Sequence, residues 1–322
     1  MTGMAAILGG IFEAGFFTSG PVRVALLVGG VVSLVSAVVG VFTVIRGQSF
    51  AGHSLGDLGT TGGSAAYLLG VNPLWGFITS AVIGALAIEM FGNRHPRERD
   101  MATGIVLGAG LGLAALFLYL GTVQHNTSGA AVSILFGSMF VISSSMIPVF
   151  VALSLAALAV VALLYRPLLL STVSQEIAFA RGVPVRAVGM VYLLALAIAV
   201  SLSCVTIGAI LSTAVLIGPA AAALRLTKRP GLAIAWAAVI GVTVTWVSTL
   251  LAYDSYYWPP AGRGWPVSFF VVTLVLIVYL LADLGSRQAS RRAGARAMGG
   301  NDGRAGADGR TQPAESWVLG AE

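Results

Sequence analysis

Ser49-Phe50-Ala51-Gly52-His53-Ser54-Leu55-Gly56-Asp57-Leu58-Gly59-Thr60-Thr61-Gly62-Gly63-Ser64 places a histidine and an aspartate at the head of an apolar segment. Read as a helix, it puts His53, Asp57, Thr60 and Ser64 on one face, because steps of three and four residues return to the same side. Gly52, Gly56, Gly59 and Gly63 each precede a member of that stripe, so a flank without side chains runs beside the polar one. Small residues at this spacing let a second helix come close in lipid. Ionisable groups in a hydrocarbon layer are costly and face either a partner helix or a water-filled path. The stretch therefore predicts a helix that packs tightly along one flank and offers nitrogen and oxygen donors next to it.

The surrounding composition supports a membrane setting. Apolar residues make up 57% of the chain and charged residues only 9%, against about 25% charged in soluble domains. The 41 glycines also suit membrane helices. The net charge of +6 does not point to nucleic acid, since the basic residues lie in short gaps between apolar segments or in the C-terminal stretch. A single cysteine, Cys204, excludes an internal disulfide. The N-terminus lacks a basic region followed by a small-residue cleavage pattern, so no removable signal peptide is expected. Residues 4–17 are too short to span a bilayer and read as part of an interfacial lead-in over 1–20.

Apolar segments fall at 22–45, 54–70, 73–92, 101–122, 132–165, 185–203, 206–224, 231–252 and 266–285. The fifth is too long for one crossing. It predicts a short helix over 132–142, a break near Ser143-Ser144-Ser145 and a span from 146, with Pro148 in its first turn. A tight turn is expected near Ser203, beside Cys204. The expected fold is an all-α polytopic membrane protein of about nine transmembrane helices over residues 1–285. Of the 18 basic residues, only Arg23 and Arg263 fall on the side opposite the rest. The positive-inside rule then sets the N-terminus outside and the C-terminus in the cytoplasm of a multi-pass plasma-membrane protein. An aromatic group (Tyr256, Tyr257, Trp258 and Trp265) marks an outer interface. Residues 286–322, rich in Gly, Ala, Arg and Asp, read as a disordered cytoplasmic tail.

No nucleotide-binding loop, zinc-protease helix or nucleophile elbow is present, so energy must come from a gradient or from another subunit. The longest cytoplasmic loop carries Ser174-Gln175-Glu176-Ile177-Ala178-Phe179-Ala180-Arg181-Gly182-Val183-Pro184. Ser174 suits an N-cap, Glu176 a first turn, and Gly182 with Pro184 a stop, which predicts a two-turn amphipathic helix over 174–182. It serves either to order the loop or to dock a soluble partner.

Over residues 20–285 the chain resembles the permease subunits of ATP-binding-cassette importers for zinc, manganese and iron. The resemblance rests on Val44-Ile45-Arg46 through Gly63, on Ile134-Leu135-Phe136-Gly137-Ser138, on Glu176 through Val183, and on Val205 to Arg225. The last contains Gly208-Ala209-Ile210-Leu211 and Leu216-Ile217-Gly218-Pro219-Ala220. It implies a type II ABC importer-like permease that works as a homodimer, above a cytoplasmic ATPase dimer and below an extracytoplasmic metal-binding protein. Helix 174–182 then corresponds to the coupling helix, with Gln175, Glu176, Ala178, Arg181 and Gly182 as its ATPase-coupling residues. Relatives carry an aspartate and, four residues on, a histidine on the second helix. Here the order is exchanged, His53 standing at the Asp position and Asp57 at the His position.

His53 and Asp57 are accordingly the candidate metal ligands, with Thr60 and Ser64 as further path-lining positions. Two copies would bring together two imidazoles and two carboxylates. That set suits Zn²⁺, Mn²⁺ or Fe²⁺ as transported cargo and not Cu⁺, which favours sulfur; no permanently bound cofactor is implied. Other uses stay open at this point. The pair also fits a hydrogen-bonded lock between helices, and Thr60, Thr61 and Ser64 also fit bonds to their own backbone. Gradient-driven secondary transport, transport of a metal chelate and a purely structural scaffold are the competing functions.

Overall fold

Twenty-six residues from Gly20 to Ile45 form α1, and much of the bundle packs around it. The computed structural model describes residues 16, 19–91, 96–125, 129–137, 139–258 and 264–305, and their side chains except at 90–103, 124–125, 130 and 289–305. After α1 come α2 (Ser49–Leu68), α3 (Pro73–Phe91), α4 (Pro96–His125) and the short α5 (Gly129–Phe136). Then follow α6 (Ile147–Leu163), α7 (Tyr165–Val173), α8 (Gln175–Ala180), α9 (Val185–Ile207), α10 (Ser212–Leu226), α11 (Pro230–Asp254) and α12 (Val267–Ala305). Among the described residues, nine of these helices have 15 residues or more, at the places where the sequence predicts spans. Six are long and apolar enough on their own to cross a membrane.

α1 is the core because its valines and small residues recur every three or four positions. Val22, Ala25, Val28, Val32, Val35, Val39 and Phe42 are all buried. Valine is a mediocre helix former in water, but here the tertiary burial of a β-branched ridge overrides the propensity. The gaps between the valines carry hydroxyls that bridge to other helices: Ser33 to Thr245, Ser36 Oγ to Ser203 Oγ at 2.7 Å, and Thr43 Oγ1 to Tyr192 Oη at 2.7 Å. Such interhelical bonds hold membrane bundles in which apolar burial alone gives little discrimination.

Helix α2 begins earlier than its hydropathy predicts, at Ser49 rather than 54, because His53, Asp57 and the hydroxyls depress the apolar signal of its first turns. Its 20 residues rise ~30 Å, enough for the hydrocarbon layer. The glycines then divide by partner. Gly52 and Gly56 lie against α10, and Gly59 and Gly63 against Phe77 of α3. Among the α2 glycines the closest approach is at Gly62, where an added Cβ would stand 2.1 Å from the Gly76 carbonyl oxygen of α3.

The break in the long fifth segment includes the serine triplet, where Ser143 is extended and α6 starts at Ile147 with Pro148 in its first turn. The short helix before it ends earlier than predicted, at Phe136 ahead of Gly137. Gly137 has φ 80° and abuts Gly208, with φ 103°, in the turn between α9 and α10. That turn donates backbone bonds from Ala209 to the Ile134 carbonyl at 3.1 Å and from Ile210 to the Leu135 carbonyl at 3.4 Å. Irregular backbone inside a membrane domain persists only where protein partners satisfy it, and α5 supplies them here. The turn expected near Ser203 accordingly begins five residues later, at Gly208, and Cys204 is a buried thiol inside α9.

Two further expectations change. Residues 165–173 form a helix of their own, α7, leading into the predicted loop helix. The last span runs on to Ala305, past the predicted tail boundary at 286, since the Ala- and Arg-rich sequence after the bilayer edge favours helix. Residues 306–322, the lead-in apart from Phe16, Ser19 and Gly20, and His95 lie outside the described residues. Phe16 packs edge-on to Tyr253, and Trp258, Trp265, Phe269 and Phe270 continue the aromatic group at that end.

Candidate functional site

The absence of side chains at Gly52 and Gly56 lets α10 lie against the first half of α2. A Cβ at Gly52 would touch Leu216 and one at Gly56 would stand 3.2 Å from Ser212 Oγ. This approach brings the start of α10 to His53, and Thr213 Oγ1 hydrogen-bonds His53 Nδ1 at 3.0 Å. On the other side of the ring, His53 Nε2 stands 3.4 Å from Asp57 Oδ2. The imidazole is 45% exposed and the carboxylate 15%, so the pair opens at the surface of the protomer instead of closing on its core. Two donors each ~2.1 Å from one tetrahedral ion stand ~3.4 Å apart. The spacing is therefore long for a hydrogen bond but right for two ligands of one divalent cation.

Among the described residues, no three His, Cys, Asp or Glu side chains gather in one place. His53 and Asp57 thus offer two donors per chain, fewer than the four of a closed structural site. The nearest sulfur does not add to them: Cys204 is fully buried, with Sγ toward the Gly56 carbonyl at 4.0 Å.

Thr60 and Ser64 take the structural role. Both are buried, and their hydroxyls donate to carbonyls of their own helix, Thr60 to Gly56 at 3.0 Å and Ser64 to Thr60 at 2.8 Å. The path-lining expectation for them gives way because a hydroxyl in mid-helix reaches the carbonyl one turn back before anything else. Thr61 instead bridges to α4, donating to the Gly110 carbonyl at 2.7 Å. Thr213, which touches the histidine, has no local signal in the sequence, being 160 positions away.

The loop helix forms as the sequence predicts. Ser174 Oγ accepts from Ile177 N at 3.2 Å, Glu176 sits in the first turn of α8, and Gly182 stops it with φ 76°. Gln175, Glu176, Arg181 and Gly182 are exposed. Ala178 is fully buried, so it anchors the helix to the fold and is not free to meet a partner. The exposed apolar residues are Ile177 and Phe179, the latter 78% exposed.

A family model described as the ABC 3 transport family matches residues 21–283. The chain belongs to that family. It is a membrane permease of the ABC importer type. The manganese transport system membrane protein MntC of Halalkalibacterium halodurans is 31% identical over 211 residues, covering 66% of this chain and 71% of the relative. The high-affinity zinc uptake system membrane protein ZnuB of Haemophilus influenzae is 27% identical over 219 residues, 68% of this chain and 82% of the relative. In fold, the chain is similar to PsaBC from Streptococcus pneumoniae, with a TM-score of 0.70 at 22% identity, over 86% of this chain and 95% of that one. The multi-pass helical architecture and the permease class follow from these together.

Proposed function

We propose that this ABC 3 permease imports a divalent metal ion, Zn²⁺ or Mn²⁺ with Fe²⁺ fitting the same donors, past His53 and Asp57. The observation that carries the reading is the half-exposed His53–Asp57 pair, 3.4 Å apart on a helix inside the membrane domain. A second copy of the chain completes the ligand set at a two-fold interface, and the ion is held by few enough donors to be released. A dimer of ATPases docks on the exposed face of α8 and an extracytoplasmic metal-binding protein delivers the ion. ATP-driven closure of the ATPases moves α8 and rocks the helices around the path, giving alternating access. Relatives named for manganese and for zinc support a metal cargo, and the donor set does not separate the two.

The test is metal uptake into vesicles carrying the permease with its ATPase and binding protein. Uptake that requires ATP and falls to background in assembled Asp57→Ala and His53→Ala variants is the expected result. Unchanged uptake in both variants overturns the path. Uptake driven by a proton gradient without ATP overturns the importer.

A further inference from the structure

The turn between α1 and α2 holds a cation that forms no ion pair with a carboxylate among the described residues. Arg46 caps the C-terminal end of α1, half-buried. Its Nη1 donates to Ser171 Oγ at 2.9 Å, and its guanidinium carbon lies 5.4 Å from the centre of the Tyr192 ring. Arg46 Nε is buried and makes no hydrogen bond, as is Gln48 Oε1 in the same turn. Glu89 acts on the guanidinium electrostatically, but among the described residues no acid forms an ion pair with it. A guanidinium taken partly out of water is costly without a carboxylate. A ring face and one hydroxyl offset only part of that cost.

What this arrangement provides is a directional link among three elements. Tyr192 of α9 is fully buried and fixed to α1, its hydroxyl donating to the Val39 carbonyl at 3.1 Å and pairing with Thr43. Ser171 of α7 spends its hydrogen on the Leu168 carbonyl at 3.0 Å, so its oxygen is free to accept from Arg46. Ser171 lies three residues before Ser174, the cap of α8. Arg46 lies three residues before Ser49, the first residue of α2, across Gly47 with φ 65°. His53 is one turn further along α2. The guanidinium is thus the polar bridge from the segment that leads into α8 to the head of the helix that carries the metal donors.

We propose that Arg46 is a positioning residue that ties α7–α8 to α2, so that a displacement of α8 is delivered to His53 and Asp57. The proposal rests on the reading of the chain as an ATP-driven permease. Its test measures ATP hydrolysis and radiolabelled Mn²⁺ or Zn²⁺ uptake in the same reconstituted vesicles and takes their ratio. Arg46→Met keeps the stem packing on Tyr192 and loses the donor. Ser171→Ala loses the acceptor together with the bond back to the Leu168 carbonyl, and Ser171→Thr keeps both. In Arg46→Met and Ser171→Ala, hydrolysis should persist while metal moved per ATP falls by about tenfold, the size of effect expected for one charge-assisted hydrogen bond. Ser171→Thr should restore the ratio. A ratio unchanged in assembled Ser171→Ala overturns the proposal. So does a proportional loss of hydrolysis and uptake, which marks a purely structural contact. Absence of ATP-dependent uptake in the wild type overturns the parent reading and this proposal with it.

Discussion

On the proposed path, Thr213 decides how His53 meets an ion. A neutral imidazole has one N–H and one bare nitrogen. With Thr213 Oγ1 at Nδ1, the N–H can be held there, leaving Nε2 bare and facing Asp57 for the cargo. Outer partners of this kind typically change metal affinity by 10–100-fold. Thr213→Val removes the hydroxyl at nearly constant shape and should raise the metal concentration for half-maximal uptake on the order of tenfold. Thr213→Ser should restore it. Uptake kinetics with each variant at matched permease content check this. An equal effect of Val and Ser sinks the hydrogen-bond argument. The exchange of His and Asp relative to the family pattern belongs to the same scale. Both residues stay on one face of α2, one nitrogen and one oxygen per chain, and what shifts is the depth of each by about one helical turn.

At the scale of elements, α2 is defined by what it lacks. Gly62 and Gly76 let α2 and α3 cross with backbones in contact, and Gly52 and Gly56 admit α10. Gly62→Ala would drive a methyl into the Gly76 carbonyl, which cannot yield as a side-chain tip can. Overpacking of this kind costs about 1–3 kcal/mol. Thermal unfolding of the detergent-solubilised permease should therefore show a clear loss of stability. Gly108→Ala on α4 is the control: its Cβ would meet nothing within 4 Å, so it should be neutral or slightly stabilising. Equal melting of the two variants would contradict the crossing. Gly137 and Gly208 work differently. Their positive φ values let α5 end against the α9–α10 turn and satisfy its backbone. That allows α10, of 15 residues, to start part-way through the membrane domain.

For the whole molecule, the distribution of basic residues predicts an orientation and the bundle sets what is exposed. Arg225 and Arg287 both pair with Asp283, at 3.5 and 2.8 Å, at the end of the last span where charge is tolerated. This cluster lies with α8 and Arg46 on the side that the charge rule makes cytoplasmic, and the aromatic group of Tyr253 to Phe270 lies at the other. A reporter fused after the C-terminus should be active only in the cytoplasm. A cysteine placed at Tyr256 or Tyr257, both exposed, should react with an impermeant reagent from outside. The opposite pattern in both assays would invert the orientation and place α8 away from any ATPase.

The spans, the cap and stop of α8 and the pairing of His53 with Asp57 were legible because each depends on neighbours close in sequence. Hydropathy sums over about 20 residues, and a helix face repeats every three or four. The early start of α2 was partly hidden, since His53, Asp57 and the hydroxyls lower its apolar signal. Thr60 and Ser64 share the stripe, and only the packed bundle shows that their hydroxyls stay on their own helix. Thr213 beside His53, Ser171 and Tyr192 around Arg46, the meeting of Gly137 with Gly208 and the burial of Ala178 were decided by tertiary structure alone. Each joins segments far apart in sequence or depends on which face a neighbour covers. Periodicity along one helix fixes which residues share a side, but the partner that side meets is chosen by packing among all of them.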